Sequence, residues 1–192
     1  MNEHDPEKSL SSNQGCVNCG SSNNENTNIK PLKEESILSE TPVQDEYAPK
    51  SICFGCGPSN KEGLQIKSYR TKGGLQTVFE CDEKHQAFPG VINGGIIGSL
   101  IDCHGNWTAA IAIMDKNGWD KPQCTVTAQY EVKLKRPTPF GTKLKLNSRI
   151  LALQDDRAEV IIELKADGKT CATGRGLFVA VTEGHPAYHR WH

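Results

Sequence analysis

The chain has 192 residues and a mass of 21.0 kDa, enough for one ordinary domain with little room for a second. Its formal charge of −1 and pI near 6.6 exclude a strongly basic nucleic-acid binder. The longest uncharged run, Gln86 to Ile101, is broken by Pro89, Asn93 and glycines and stops at Asp102, so it is too short to span a bilayer. The opening MNEHDPEK leads into no apolar stretch, which predicts no secretory signal, a cytoplasmic location and reduced thiols.

Residues 1–50 differ from the rest. They hold seven Asn, seven Ser and a single aromatic, Tyr47, and carry −5, against +4 over residues 51–192. A segment of this kind buries too little apolar surface to offset its ordering entropy, so it is predicted to be a disordered leader before a domain at 51–192. Among the eight cysteines two pairs have metal-ligand spacing: Cys16 with Cys19 in CVNC, and Cys53 with Cys56 in CFGC. A zinc ribbon usually closes over about 15–20 residues between its pairs. Here 33 residues intervene, so the reading favours ordinary tail and turn cysteines and no metal. Cys81, Cys103, Cys124 and Cys171 fall in periodic segments and read as small core residues.

In chain order, Leu64 and Ile66 alternate with polar neighbours. Leu75, Thr77, Phe79 and Cys81 do the same after Gly73-Gly74, which predicts a first hairpin. Asn93 then caps a long helix from Gly94 to about Lys116. On it Ile97, Leu100, Ile101, His104, Thr108 and Ile111 share one side, and the other side is small or polar. With almost no charge over that length, the helix must be largely enclosed. In TVTAQYEVKLK, Val126, Ala128, Tyr130, Val132 and Leu134 face one way, Thr125, Thr127 and Gln129 the other. Leu144 to Ile150, Val160 to Leu164 and CATGRGLFVAV supply three more strands. Asp167-Gly168 turns the chain before the last, where Gly174 and Gly176 leave one face locally bare. Strands joined by tight hairpins around one helix make an α+β fold, an antiparallel sheet curled around a central helix.

Asp102 is the residue that demands an explanation. A carboxylate inside a buried helix costs several kcal/mol unless it is paired, hydrogen-bonded or protonated, and no Lys or Arg lies within four residues of it. A structural carboxylate held by a strand backbone or by Arg175 is one account. Gly98, Ser99 and Gly105 leave space beside it, which favours a substrate instead. At the helix start, the N–H groups of Gly94 and Gly95 offer a site for developing negative charge, as an oxyanion hole requires.

FPGVINGGIIGSLIDCHGNWTA resembles the helix signature of the PaaI-like branch of the hotdog-fold acyl-CoA thioesterases, with Asn93, Gly94, Gly95, Leu100 and Asp102 in register. CFGCGPSNKEGLQIKS resembles the opening of the same branch, and CATGRGLFVAV its last strand, so the likeness covers about residues 51–185. It implies a hotdog homodimer or homotetramer that hydrolyses acyl-CoA or aroyl-CoA at the subunit interface without a cofactor. Asp102 would be nucleophile or general base, and Gly94 of the second chain would polarise the thioester carbonyl. Asn93 stands where many relatives have His; it can cap and hydrogen-bond but carries no proton at neutral pH.

Further candidates are Gly95, Asn60 and His104 as substrate contacts. His104 is weighed against a hydrogen-bonded core histidine. Lys135 and Arg136, with Lys133, could meet coenzyme A phosphates, against simple solvated charge. The terminal HPAYHRWH reads as an ordinary tail. A binding protein that holds the acyl thioester without cleaving it is the alternative function. A hydratase or dehydratase ranks last, because Asp102 and His104 point to different helix faces.

Overall fold

The computed structural model describes residues 32–33 and 35–191. The elements run α1 (Val43–Tyr47), β1 (Tyr69–Arg70), β2 (Leu75–Phe79), a single 3-10 turn (Glu83–His85), β3 (Gln86–Phe88) and β4 (Val91–Ile92). The long helix α2 (Gly94–Asn117) follows, then β5 (Thr125–Leu134), β6 (Leu144–Leu153), β7 (Arg157–Ala166) and β8 (Lys169–Ala180). Six strands form one antiparallel sheet in the order β1-β2-β6-β7-β8-β5, and β3 and β4 form a separate small hairpin. The sheet curls around α2, the α+β arrangement that the element order and the family resemblance both imply.

The helix begins and ends as its sequence dictates. The Asn93 side chain accepts the Gly95 N–H at its start, and Gly118 stops it in the left-handed conformation at φ 66°. From Cys103 to Ile111 every residue is buried, so this half of α2 is enclosed on all sides and not along one stripe. The sheet comes close because glycines permit it. A Cβ on Gly174 of β8 would run into the Ile101 side chain, and one on Gly105 of α2 would lie 2.8 Å from the Phe178 ring. The bare face expected at Gly174 is thus occupied by the helix, and the space expected at Gly105 is filled by β8. The Asp167-Gly168 turn between β7 and β8 has φ of 48° and 73°, as its composition predicts.

Three local readings are corrected. Leu64 and Ile66 are both buried, but their N–H groups bond to the carbonyls of Phe54 and Gly55 (2.8 and 3.0 Å), and Gln65 between them has φ 54°. They line the CFGC turn, and the first hairpin shrinks to β1 and β2. Next, the packed unit begins before residue 51. Val43, Gln44 and Ala48 are fully buried, and Gln44 exchanges two hydrogen bonds with Ser68, whose Oγ meets His104 Nδ1 at 2.9 Å. That buried polar chain anchors α1 to α2, offsetting the poor apolar content of the segment. The N-terminal 31 residues, including Cys16 and Cys19, lie outside the described residues. Last, the tail is docked. Trp191 is buried and stacks on Trp107 of α2, ring centroids 4.2 Å apart and planes 10° apart. No helix among the described residues is long and apolar enough to cross a membrane.

Candidate active site

Asp102 sits half-buried where α2 passes β5, the edge strand of the sheet. Its Oδ1 accepts a hydrogen bond from Thr127 Oγ1 at 2.7 Å. Burial raises the carboxyl pKa above its usual value. The Thr127 bond opposes that rise, the charge of Cys53 adds to it, and the Arg190 guanidinium works against it. Arg175 donates to Glu159 on β7 at 2.5 Å, and the cation whose charge acts on Asp102 is Arg190.

Thr127 reaches the carboxylate because β5 is irregular. Strict alternation places Thr127 and Tyr130 on opposite faces. The register shifts between Thr127 and Gln129, leaving Ala128 unpaired against β8. One extra residue reverses the phase, so Thr127 and Tyr130 both turn toward α2. Helix and strand then run side by side in opposite directions. A Cβ on Gly94 would meet Leu134 at 3.5 Å, and one on Gly98 would meet the Tyr130 hydroxyl at 3.6 Å. Gly94, Gly98 and Asp102, spaced by four along one helix face, therefore oppose Leu134, Tyr130 and Thr127. The result is one helix face of small residues packed along the sheet edge and ending at a carboxylate.

The helix start is partly spoken for. The Gly95 N–H is given to Asn93 Oδ1 at 2.7 Å, so of the two amides expected to meet an oxyanion only that of Gly94 is left by the cap. As the first helical residue, Gly94 has no carbonyl one turn back to bond. Asn93 acts here as the cap itself. Lys135 and Arg136 follow directly after β5, exposed beyond the Leu134 that opposes Gly94. Their N–H groups both bond the Cys171 carbonyl. Lys133 pairs with Glu131 at 3.3 Å.

Two expected substrate contacts do not join this group. His104 is fully buried, bonded to Ser68, and pushed down to about 4 by burial, with the Leu75 backbone opposing the shift. It is a neutral core histidine. Asn60 shapes the 51–66 loop instead: its Nδ2 donates to the Ile52 carbonyl at 3.3 Å and its Oδ1 accepts the Glu62 N–H at 3.2 Å. Sequence reasoning missed Thr127, whose alternation pointed it away, and Arg190, which donates to the Thr125 carbonyl at 2.5 Å from a stretch read as loose tail. Cys16 and Cys19 lie outside the described residues, and Cys53 and Cys56 meet Cys103.

No protein-family model matches the chain, and no curated protein matches it. Solved structures do. A thioesterase superfamily protein from Shewanella loihica PV-4 is 30% identical, covering 65% of this chain and 98% of its own, with a TM-score of 0.53. The E. coli PaaI protein from the phenylacetic acid degradation operon is 17% identical over 62% of this chain and 81% of its own, TM-score 0.52. A Haemophilus influenzae thioesterase is 16% identical over 64% of this chain and 84% of its own, TM-score 0.55. The last two speak to the shared fold alone.

Proposed function

The chain belongs to the thioesterase superfamily, with the PaaI-like hotdog fold, and we propose that it hydrolyses an acyl-CoA or aroyl-CoA thioester to the free acid and coenzyme A. The observation that carries this reading is the half-buried Asp102, held by Thr127 at 2.7 Å on the helix face it shares with Gly94 and Gly98. Desolvation makes its carboxylate a better base than an exposed one.

The proposed site takes a second copy. Eight residues separate Gly94 from Asp102, about 12 Å at 1.5 Å per residue, too far for one thioester carbonyl to touch both. On this reading the Gly94 amide that polarises the carbonyl comes from another subunit. The exposed edge of β5, with Tyr130 and Leu134 48% and 58% exposed, is where such a copy would pack. Asp102 attacks the carbonyl carbon itself, or takes a proton from the water that does. The carbonyl electrons move to an oxygen held by the Gly94 N–H, and collapse breaks the C–S bond; where Asp102 attacks directly, water then opens the resulting acyl anhydride to the free acid and restores the carboxylate. Coenzyme A leaves as a thiolate whose pKa of about 8.5 needs little acid assistance, so the absence of a proton-bearing side chain at Asn93 is tolerated. Lys135 and Arg136 meet the coenzyme A phosphates at the helix-start end.

The commitment of Asn93 to capping favours one other reading, a protein that binds the thioester without cleaving it. Thiol release measured over short, medium, long-chain and aromatic acyl-CoAs separates the two. Turnover of one class is expected; tight binding across the panel with no thiol released would install the binding protein instead.

A further inference from the structure

The sulfurs of Cys53, Cys56 and Cys103 all lie within 4.8 Å of one another, and those of Cys53 and Cys103 are 3.9 Å apart. A disulfide needs about 2.05 Å, so these sulfurs are not bonded to one another. Tetrahedral zinc with Zn–S of about 2.3 Å places its sulfurs about 3.8 Å apart.

The surroundings are built for such an arrangement. The CFGC turn is closed by the Gly57 N–H on the Cys53 carbonyl at 2.9 Å, and the Leu64 and Ile66 N–H groups fasten its Phe54 and Gly55 carbonyls. Gly55 is required: a Cβ there would collide with the Cys103 sulfur, so only glycine lets the helix cysteine enter the turn. Trp107 Nε1 donates to the Cys56 sulfur at 3.3 Å, and Trp191 stacks behind that indole. An indole N–H aimed at sulfur suits a thiolate.

We propose that Cys53, Cys56 and Cys103 bind a zinc ion as three thiolates, with water at the fourth corner. Binding expels the remaining thiol protons to solvent and leaves the metal redox-neutral. The ion ties the 51–66 loop to α2 one residue beyond Asp102, so it fixes the helical turn that carries the carboxylate. The site does not use CVNC and does not depend on the hydrolase reading.

The test is metal stoichiometry by elemental analysis on the reduced full-length protein, stripped with chelator and reloaded with zinc, alongside thiolate-to-cobalt absorption on loading with cobalt(II). About one metal per chain is expected in the wild type and in the Cys16→Ser/Cys19→Ser double variant. Less than about a tenth is expected in Cys53→Ser, whose half-exposed position spares the core and whose folding is checked by melting. Gly55→Ala keeps all three cysteines and should weaken zinc about tenfold or more by displacing Cys103. No stoichiometric metal in the reduced wild type, full loading of Cys53→Ser, or loss of metal in the Cys16→Ser/Cys19→Ser variant would overturn the proposal.

Discussion

Asp102 shows how much one hydrogen bond decides. Its identity and its place in an uncharged helix are plain in the sequence; its partner is not, because a single unpaired residue at Ala128 reverses the facing of Thr127. No composition signal marks that bulge, since Val126, Ala128 and Tyr130 alternate as a regular strand would. Gly105 carries the opposite lesson. A glycine beside a carboxylate reads as room for a substrate, yet it is the contact point for the Phe178 ring. Alanine there gains about 1 kcal/mol of helix propensity but forces a methyl against a fully buried ring, where overpacking costs about 1–3 kcal/mol. Gly105→Ala is therefore expected to lower the denaturation midpoint; an unchanged or raised midpoint would show that β8 can retreat.

At the scale of elements, α2 was legible almost to the residue, because its cap, its αL stop and its lack of charge are local properties. The long strands and the Asp167-Gly168 turn were legible for the same reason. Elements held by distant partners were not. α1 is five residues, too short to show a period, and the chain Gln44–Ser68–His104 helps to hold it in place. Trp191 likewise gains its place from Trp107, 84 positions away. Ser68→Ala should strip partners from two buried side chains and cost about 1–3 kcal/mol. Urea unfolding checks the magnitude. Limited proteolysis should at the same time cut first between residues 35 and 50, and equal protection of that stretch in the variant would mean that α1 is held by something else.

For the whole molecule, the proposed mechanism splits its two groups over about 12 Å of one helix and so makes catalysis a property of an assembly. Gly94→Pro isolates the amide: proline is well tolerated as the first helical residue, and Asn93 before it already has the extended φ and ψ of −63° and 136°. The variant should keep its fold and lose about 10²–10³-fold in kcat. Mixing Gly94→Pro with Asp102→Asn subunits should restore activity, because the hybrid contains one site with both groups intact. No restoration after verified subunit exchange would place both groups' work within one chain.

The most direct measurement compares thiol release by the wild type and Asp102→Asn on the acyl-CoA class the wild type prefers, with melting curves for both. The asparagine is isosteric and can keep the Thr127 bond, so the account predicts equal folding and turnover reduced to background. Undiminished hydrolysis in Asp102→Asn would contradict the assignment of this carboxylate as the group that activates attack.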